Sequence, residues 1–190
     1  VSPDREPLRT RTALVLTVSD RSFEGTRPDA SGERLAERLG ALGFEVERRV
    51  VPDDTPRIAE ALIEGAARHR LVISTGGTGL TPRDVTPQAT ARVLDYEIPG
   101  IAEAMRADGR RFTPFAVLSR GLVGVRGRSL IVNVPGSPKA ALESFDVLEP
   151  VLVHALETLA GPFDHAGAEA AAGPEPPPTD DLRPGAPEDG

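Results

Sequence analysis

Short runs of β-branched and aliphatic residues alternate with helix-patterned stretches, and this alternation constrains the fold more than any other feature of the chain. Residues 12–18 (TALVLTV) have the length and composition of a buried strand. Residues 44–51 (FEVERRVV) alternate as a strand does, and residues 71–74 (LVIS) form a third run. Between the first two, Leu35, Leu39 and Leu42 mark the apolar face of a helix that Ser31 can cap and Gly43 ends. Between the second and third, Ile58, Ala61, Leu62, Gly65 and Ala66 mark another, with Thr55 as cap and Pro56 at its first position. A β-α-β-α-β order implies parallel strands joined by right-handed crossovers. Further on, the pattern predicts helices over 86–95 and 99–109 and strands over 115–119 and 129–134, with a connection from Gly121 to Gly127 between them. A last helix over about 137–160 contains Pro150, where a kink or break is expected.

The chain of 190 residues suffices for one domain plus a tail. Residues 1–11 read as a flexible arm, 12–163 as the domain, and 164–190 as a disordered tail rich in Ala, Pro, Gly and acids. That tail carries seven acids and one base, so it holds most of the formal charge of −7 and leaves the domain nearly neutral. Broad attraction to nucleic acid is therefore not expected. Cysteine is absent, which removes disulfides, thiolate metal sites and a cysteine nucleophile. The first residues carry no apolar signal core, and no apolar run nears the roughly 20 residues that span a bilayer. The expectation is a cytoplasmic protein with no membrane partner.

The strongest chemical signal is residues 74–87, STGGTGLTPRDVTP, which begin where a buried strand ends. In open α/β sheets, ligands sit beyond the carboxyl ends of the strands. Gly76, Gly77 and Gly79 let the backbone come close to an anion and offer N–H groups to it. Thr75 and Thr78 add hydroxyls, and Arg83 can pair with an oxyanion. Asp84 would repel a phosphate unless a cation lay between them, so the loop suggests phosphate with Mg²⁺. The alternative is a tight turn with Asp84 at the surface. The pattern matches neither GxxxxGK[ST] nor GxGxxG.

Asp53 follows the second strand and should reach the same sheet edge. Two carboxylates from adjacent strand ends can hold Mg²⁺, whereas the competing reading makes Asp53 a helix-capping acid, with Asp54 closer to the cap. Ser19 and Asp20 close the first strand, and Asp29, Ser31 and Gly32 close the loop after it. In Asn133–Lys139 (NVPGSPK), Asn133 can recognise a purine edge or ribose hydroxyl, and Pro135-Gly136 makes the turn into a helix whose N-terminus favours anions. Turn chemistry alone explains that segment equally well. Arg120, after Ser119, is either an anion clamp or structural. His69 and His154 have no ligand partner at metal spacing and read as structural.

Taken together and in this order, TGGTG with PRDVTP, the PGIAEAMR segment (residues 99–106), LSRG (118–121) and PGSPK resemble the Mog/MoaB family of molybdopterin-binding proteins, with related domains in gephyrin-type and CinA-type proteins. The resemblance spans about residues 12–162. It implies a three-layer α/β/α fold with a mostly parallel sheet, a homotrimer, and Mg²⁺-dependent transfer of an adenylyl group from ATP to molybdopterin with release of pyrophosphate. It assigns the catalytic, metal-holding acids to Asp53 and Asp84. The implied nucleotide contacts are Ser19, Asp20, Thr75, Gly76, Gly77, Thr78, Gly79, Asn133, Pro135 and Gly136. The implied pterin-side contacts are Thr78, Arg83, Ser119 and Arg120. One departure is Gly109, where many relatives carry serine. A pterin-binding relative without efficient transfer and a CinA-like pyrophosphatase are the competing implications.

Overall fold

The computed structural model describes residues 11–161, so the expected arm, apart from Arg11, and the expected tail lie outside the described residues. Six strands form one sheet in the order β2-β1-β3-β6-β5-β4. They are β1 (Thr12–Val18), β2 (Glu45–Val51), β3 (Leu71–Thr75), β4 (Tyr96–Glu97), β5 (Val123–Arg126) and β6 (Ser129–Val134). The first four in sheet order are parallel. The last two add on antiparallel, β5 to β6 and β4 to β5.

Helices cover both faces, which gives the expected three layers. On one face α2 (Ala30–Ala41), α5 (Pro99–Gly109) and α6 (Pro138–Ala160) bury Leu35, Leu39, Met105, Phe145 and Leu148 against Ala13, Val15, Ile73 and Val132. On the other, α3 (Thr55–Arg68) and α4 (Thr86–Ala91) bury Ile58, Leu62 and Ala89 against Leu14, Leu16, Val72 and Ile131. Side chains alternate across a strand. With helices on both faces, the central strands are therefore buried almost throughout and read as largely apolar runs.

Local differences from the sequence expectation have physical causes. Asp29, not Ser31, caps α2, accepting from the Gly32 N–H at 2.9 Å; Ser31 is already helical and buried. Asp54, not Thr55 or Asp53, caps α3 from an extended backbone, accepting from the Arg57 N–H. The α4 helix stops at Ala91 instead of running to 95, and the Asp95 N–H goes to the Val125 carbonyl to begin the edge of the sheet. Residues 115–119 are not a strand: Pro114–Leu118 is a 3₁₀ turn that Thr113 caps. The missing strand is β5, inside the segment read as a connection; Gly127 at φ 58° turns it back into β6. The final helix passes through Pro150 without breaking. Pro150 and Asp146, whose carbonyl loses its donor, are both exposed, so water can serve the lost bond. Leu148 and Leu152, buried on either side, hold the helix to the sheet.

Candidate functional site

Parallel strands end at one edge, and that edge carries the motif residues. Beyond β1, β3 and β6 lies a polar crevice of about 630 Å³. It is lined by Ser19 and Asp20 after β1, Asp53 after β2, the glycine loop and Asp84 after β3, and Gly136 after β6. The strands bearing the two acids are not adjacent, because β1 lies between β2 and β3. The turn after β1 bridges the gap. Asp20 N–H donates to Asp53 Oδ2 at 2.9 Å, and Asp53 N–H donates to Asp20 Oδ1 at 3.0 Å. This reciprocal pair fixes Asp53 relative to the end of β1. Arg83 forms an ion pair with Asp20 Oδ2 across the same crevice. The short helix α1 (Asp20–Phe23) starts here, with Ser19 Oγ accepting from the Ser22 N–H.

The glycine loop is pinned through its carbonyls. Thr86 Oγ1 donates to Gly76 O at 2.8 Å, and Thr86 N–H to Gly77 O at 3.1 Å. Arg120 N–H donates to Thr78 O at 3.0 Å, and Arg120 Nε to Gly79 O at 2.7 Å. Arg120 also donates to the Asp84 carbonyl at 2.5 Å, so it braces the loop from behind. Thr75 Oγ1 ties β3 to Pro135 O at 2.8 Å. With the loop's acceptors satisfied, its N–H groups are what it offers a ligand. Gly76 N–H serves Val134 O, and Gly79 N–H supports the Asp84 carboxylate, which leaves Gly77 and Thr78 as donors to the crevice.

Both acids reach this loop. A Cβ on Gly77 would stand 3.4 Å from Asp53 Oδ1, and one on Gly79 would stand 2.9 Å from Asp84 Oδ2. Their electrostatics differ. Burial pushes the Asp53 carboxyl above the usual range, and the charges of Asp20 and Asp84 add to that, outweighing the Asp20 N–H and Arg83. Burial acts the same way on Asp84, but the Thr81 hydroxyl and N–H, the Gly79 N–H and Arg120 overcome it and hold Asp84 below the usual range. The Asp53 N–H bond, against a small burial cost and with help from Arg83, lowers Asp20. A positive charge placed beside Asp53 would offset this crowding of negative charge.

A second cavity of about 420 Å³ opens on the other side of the same loop, and Thr78 and Gly79 line both. Its walls are mainly apolar, from Ala102 and Met105 of α5, Phe115 and Leu118 of the 3₁₀ turn, and Ala140 of α6. Gly109 lies in this wall facing Ala116.

The sequence-derived groups divide between the two spaces. Ser19, Asp20, Thr75, Gly76, Gly77, Arg83 and Gly136 line the polar crevice, whereas Ser119, Asn133 and Pro135 line the apolar cavity. Arg83 and Ser119, expected to contact one pterin, therefore sit on opposite sides of the loop. Asn133 is a correction. It is buried, and it spends both amide hydrogens on Ser74 Oγ and Thr90 Oγ1, at 2.8 and 3.0 Å, while its carbonyl accepts from the Leu122 N–H. It has no donor left for a purine or ribose. Sequence reasoning missed Arg27 in the polar crevice and Glu143 in the apolar cavity; Ser137, in the 133–139 turn already singled out, also lines the crevice. Arg27 lies in the loop after β1, whose position alone could have drawn attention to it. Among the described residues no group of three or more His, Cys, Asp or Glu could hold a metal, and no helix is long and apolar enough to cross a membrane.

Comparison with known proteins points the same way. The sequence profile of a family described as a probable molybdopterin binding domain matches residues 14–154. A molybdopterin adenylyltransferase from Helicobacter pylori is 35% identical over 154 residues, covering 78% of this chain and 88% of its own length. The molybdenum cofactor synthesis protein cinnamon of Drosophila melanogaster is 38% identical over 149 residues, 76% of this chain, but the chain spans only 25% of that longer protein. The crystal structure of the molybdopterin biosynthesis enzyme MoaB from Thermus thermophilus superposes with a TM-score of 0.75 at 49% identity, covering 80% of this chain and 98% of that one.

Proposed function

Because the chain belongs to the family of probable molybdopterin-binding domains, we propose that it is a molybdopterin adenylyltransferase of molybdenum cofactor biosynthesis, acting on ATP with Mg²⁺. The observation that carries this is the convergence of Asp53 and Asp84 on one glycine loop that separates a polar crevice from an apolar cavity. One space suits a triphosphate and the other a heterocycle, and the loop between them is where two phosphates would meet.

The residues present fit a divalent ion. Asp53 is a half-buried acid whose proton affinity is raised first by burial and then by two neighbouring carboxylates, and two acids with phosphate oxygens completing the shell is the usual habit of Mg²⁺. Asp53 and Asp84 would hold it, and when bound it supplies positive charge against the phosphates and the departing pyrophosphate. The protein's own part is positioning. In the reaction, a phosphate oxygen of molybdopterin attacks the α-phosphorus of ATP, a new P–O bond forms, and the bond to the β-phosphate breaks to release pyrophosphate. Gly77 and Thr78 N–H groups would stabilise non-bridging oxygens. Arg27 and Arg83 supply charge in the crevice for the remaining phosphates. No protein nucleophile is needed.

The acid pair favours transfer over a pterin carrier. Asp84→Asn keeps the side-chain shape and removes the charge, so the fold should persist while pyrophosphate release from ATP and molybdopterin falls by roughly 100-fold or more. Near-normal release by that variant would reject the assignment. The same reading extends to a cytoplasmic homotrimer, and light scattering of the purified protein checks the assembly.

A further inference from the structure

Within the apolar cavity one charged group is left over after the fold has used the others. Asn133 spends its donors on Ser74 and Thr90, and Arg106 donates to the Gly121 carbonyl at 3.2 Å. Thr113 Oγ1 and Ser119 Oγ accept from backbone N–H groups beside them. Glu143, on the second turn of α6, also lines the cavity, with a side chain only 17% exposed. Its nearest cation is Lys139 Nζ at 3.7 Å, beyond hydrogen-bond distance. That ammonium is 80% exposed and lies over the Phe112 ring, 5.8 Å from its centre. A carboxylate largely sheltered from water, with no donor at hydrogen-bond distance, gains when a ligand brings donors to it.

We propose that Glu143 is the specificity-determining residue for the pterin, reading the N3–H and 2-amino group as a bidentate acceptor. This rests on the reading of the cavity as the heterocycle side of an adenylyltransferase. A pterin presents two parallel N–H donors along that edge, at the spacing of two carboxylate oxygens. Adenine does not: its 6-amino donor stands beside the N1 lone pair, which a carboxylate oxygen repels. The residue that makes the cavity a pterin site thus also excludes the other substrate's base, a rejection built from an unmatched polar group. Both heterocycles then keep to their own side of the glycine loop.

The test uses two fluorescent probes on the full chain, pterin and lumazine, the analogue with oxygen in place of the 2-amino group. Lumazine pairs a donor with an acceptor, which matches an amide rather than a carboxylate. The wild-type protein should bind pterin roughly tenfold or more tightly than lumazine, the usual worth of one good bidentate pair. E143Q should lose pterin affinity by a similar factor and bind lumazine at least as well as pterin, with ATP affinity and melting temperature unchanged. A merely structural glutamate would weaken both probes together. An unchanged pterin-to-lumazine ratio in E143Q, or no preference in the wild type, overturns the inference. Pyrophosphate release is followed in parallel. Release by the wild type with an unmoved ratio would sink the role of Glu143 alone. A ratio that moves without any release would sink the transferase reading and leave the pterin site standing.

Discussion

Gly79→Ala isolates the position of the Asp84 carboxylate without altering its charge. Gly79 does not occupy the left-handed region, so alanine fits its backbone. The new Cβ would stand 2.9 Å from Asp84 Oδ2, and ordinary contact begins at 3.4 Å, so the oxygen must retreat by about 0.5 Å. It is held by the Thr81 N–H at 2.8 Å and the Thr81 hydroxyl at 2.6 Å, and both bonds stretch or turn as it moves. Asp84 is near the surface of the crevice, so the cost to stability is small; reduced unfolded-state entropy offsets part of it, leaving a change of about 1 kcal/mol or less. Function is more sensitive, because a misplacement of about 1 Å at a reacting centre costs roughly 100-fold. Half that displacement predicts a loss of roughly tenfold in kcat for pyrophosphate release, with a higher Mg²⁺ requirement and little change in the melting temperature. The assay is pyrophosphate release at saturating ATP across a magnesium titration. Wild-type kcat at ordinary magnesium would refute the reasoning, because the acid would then be displaceable without consequence.

Gly76→Ala should behave in the opposite way: at φ 103° with its Cβ driven into the Val18 carbonyl, it should cost about 3 kcal/mol or more and appear first as lost solubility or a lowered urea midpoint. Asn133→Ala leaves the Leu122 N–H and the Ser74 and Thr90 hydroxyls short of a partner, so urea unfolding should show a loss of about 3 kcal/mol. The acids give a pH signature in thermal melts. Raised in the native state, Asp53 binds its proton more tightly folded than unfolded, so its contribution to stability is lost as pH rises above its ordinary 3.8; D53N should flatten that decline. Asp84, lowered, contributes stability that is present above 3.8 and lost as pH falls below it, and D84N should remove that acid-side loss. Arg27→Ala should raise KM for ATP severalfold with little change in kcat, the pattern of lost ground-state binding.

Much of this could be read from the chain, for reasons visible in particular residues. The runs at 12–18 and 71–74 are mostly aliphatic and buried because helices cover both faces of β1 and β3, so their strand character is unmistakable. The loop at 74–87 stands out because three glycines, an arginine and an acid cluster directly after a buried strand. Strand order is a different kind of fact. Nothing local says that β1 lies between β2 and β3, so Asp53 and Asp84 seemed to come from neighbours, and the bridging role of Asp20 was hidden. Asn133 has partners 59 and 43 residues away, which no local pattern can show, and a polar residue at a strand end then resembles a ligand contact. Arg120, taken for an anion clamp or a structural residue, donates to loop carbonyls 36 and 41 residues back. Glu143 stands four residues after Lys139, a spacing that marks nothing but a helix surface; only the fold shows that the lysine faces water while the glutamate borders a cavity. The strands β4 and β5, two and four residues long, are too short to have a period.

The TGGTG pattern records packing against four separate segments, which explains why it is so particular. At Gly76 the volume of a side chain is taken by the Val18 carbonyl of β1, and the Gly136 Cα side of the next turn packs against it, a Cβ there falling 3.1 Å from Gly76 Cα. Gly77, at φ 63°, gives the same volume to the Thr86 hydroxyl, with Asp53 Oδ1 just beyond. At Gly79 it belongs to the Asp84 carboxylate. Between them Thr78 keeps a side chain because it stands in the partition that both spaces share, where it is 6% exposed. Two of the three glycines are thus small because an acid or its neighbour occupies the space, not because the turn alone demands it. A loop built only to bind phosphate would need glycines for backbone freedom and N–H access, and it would place no carboxylate against them. The close approach of two acids to a loop that offers N–H groups suits a ligand that brings both negative oxygens and a cation, as the metal-chelated polyphosphate of the proposed reaction would.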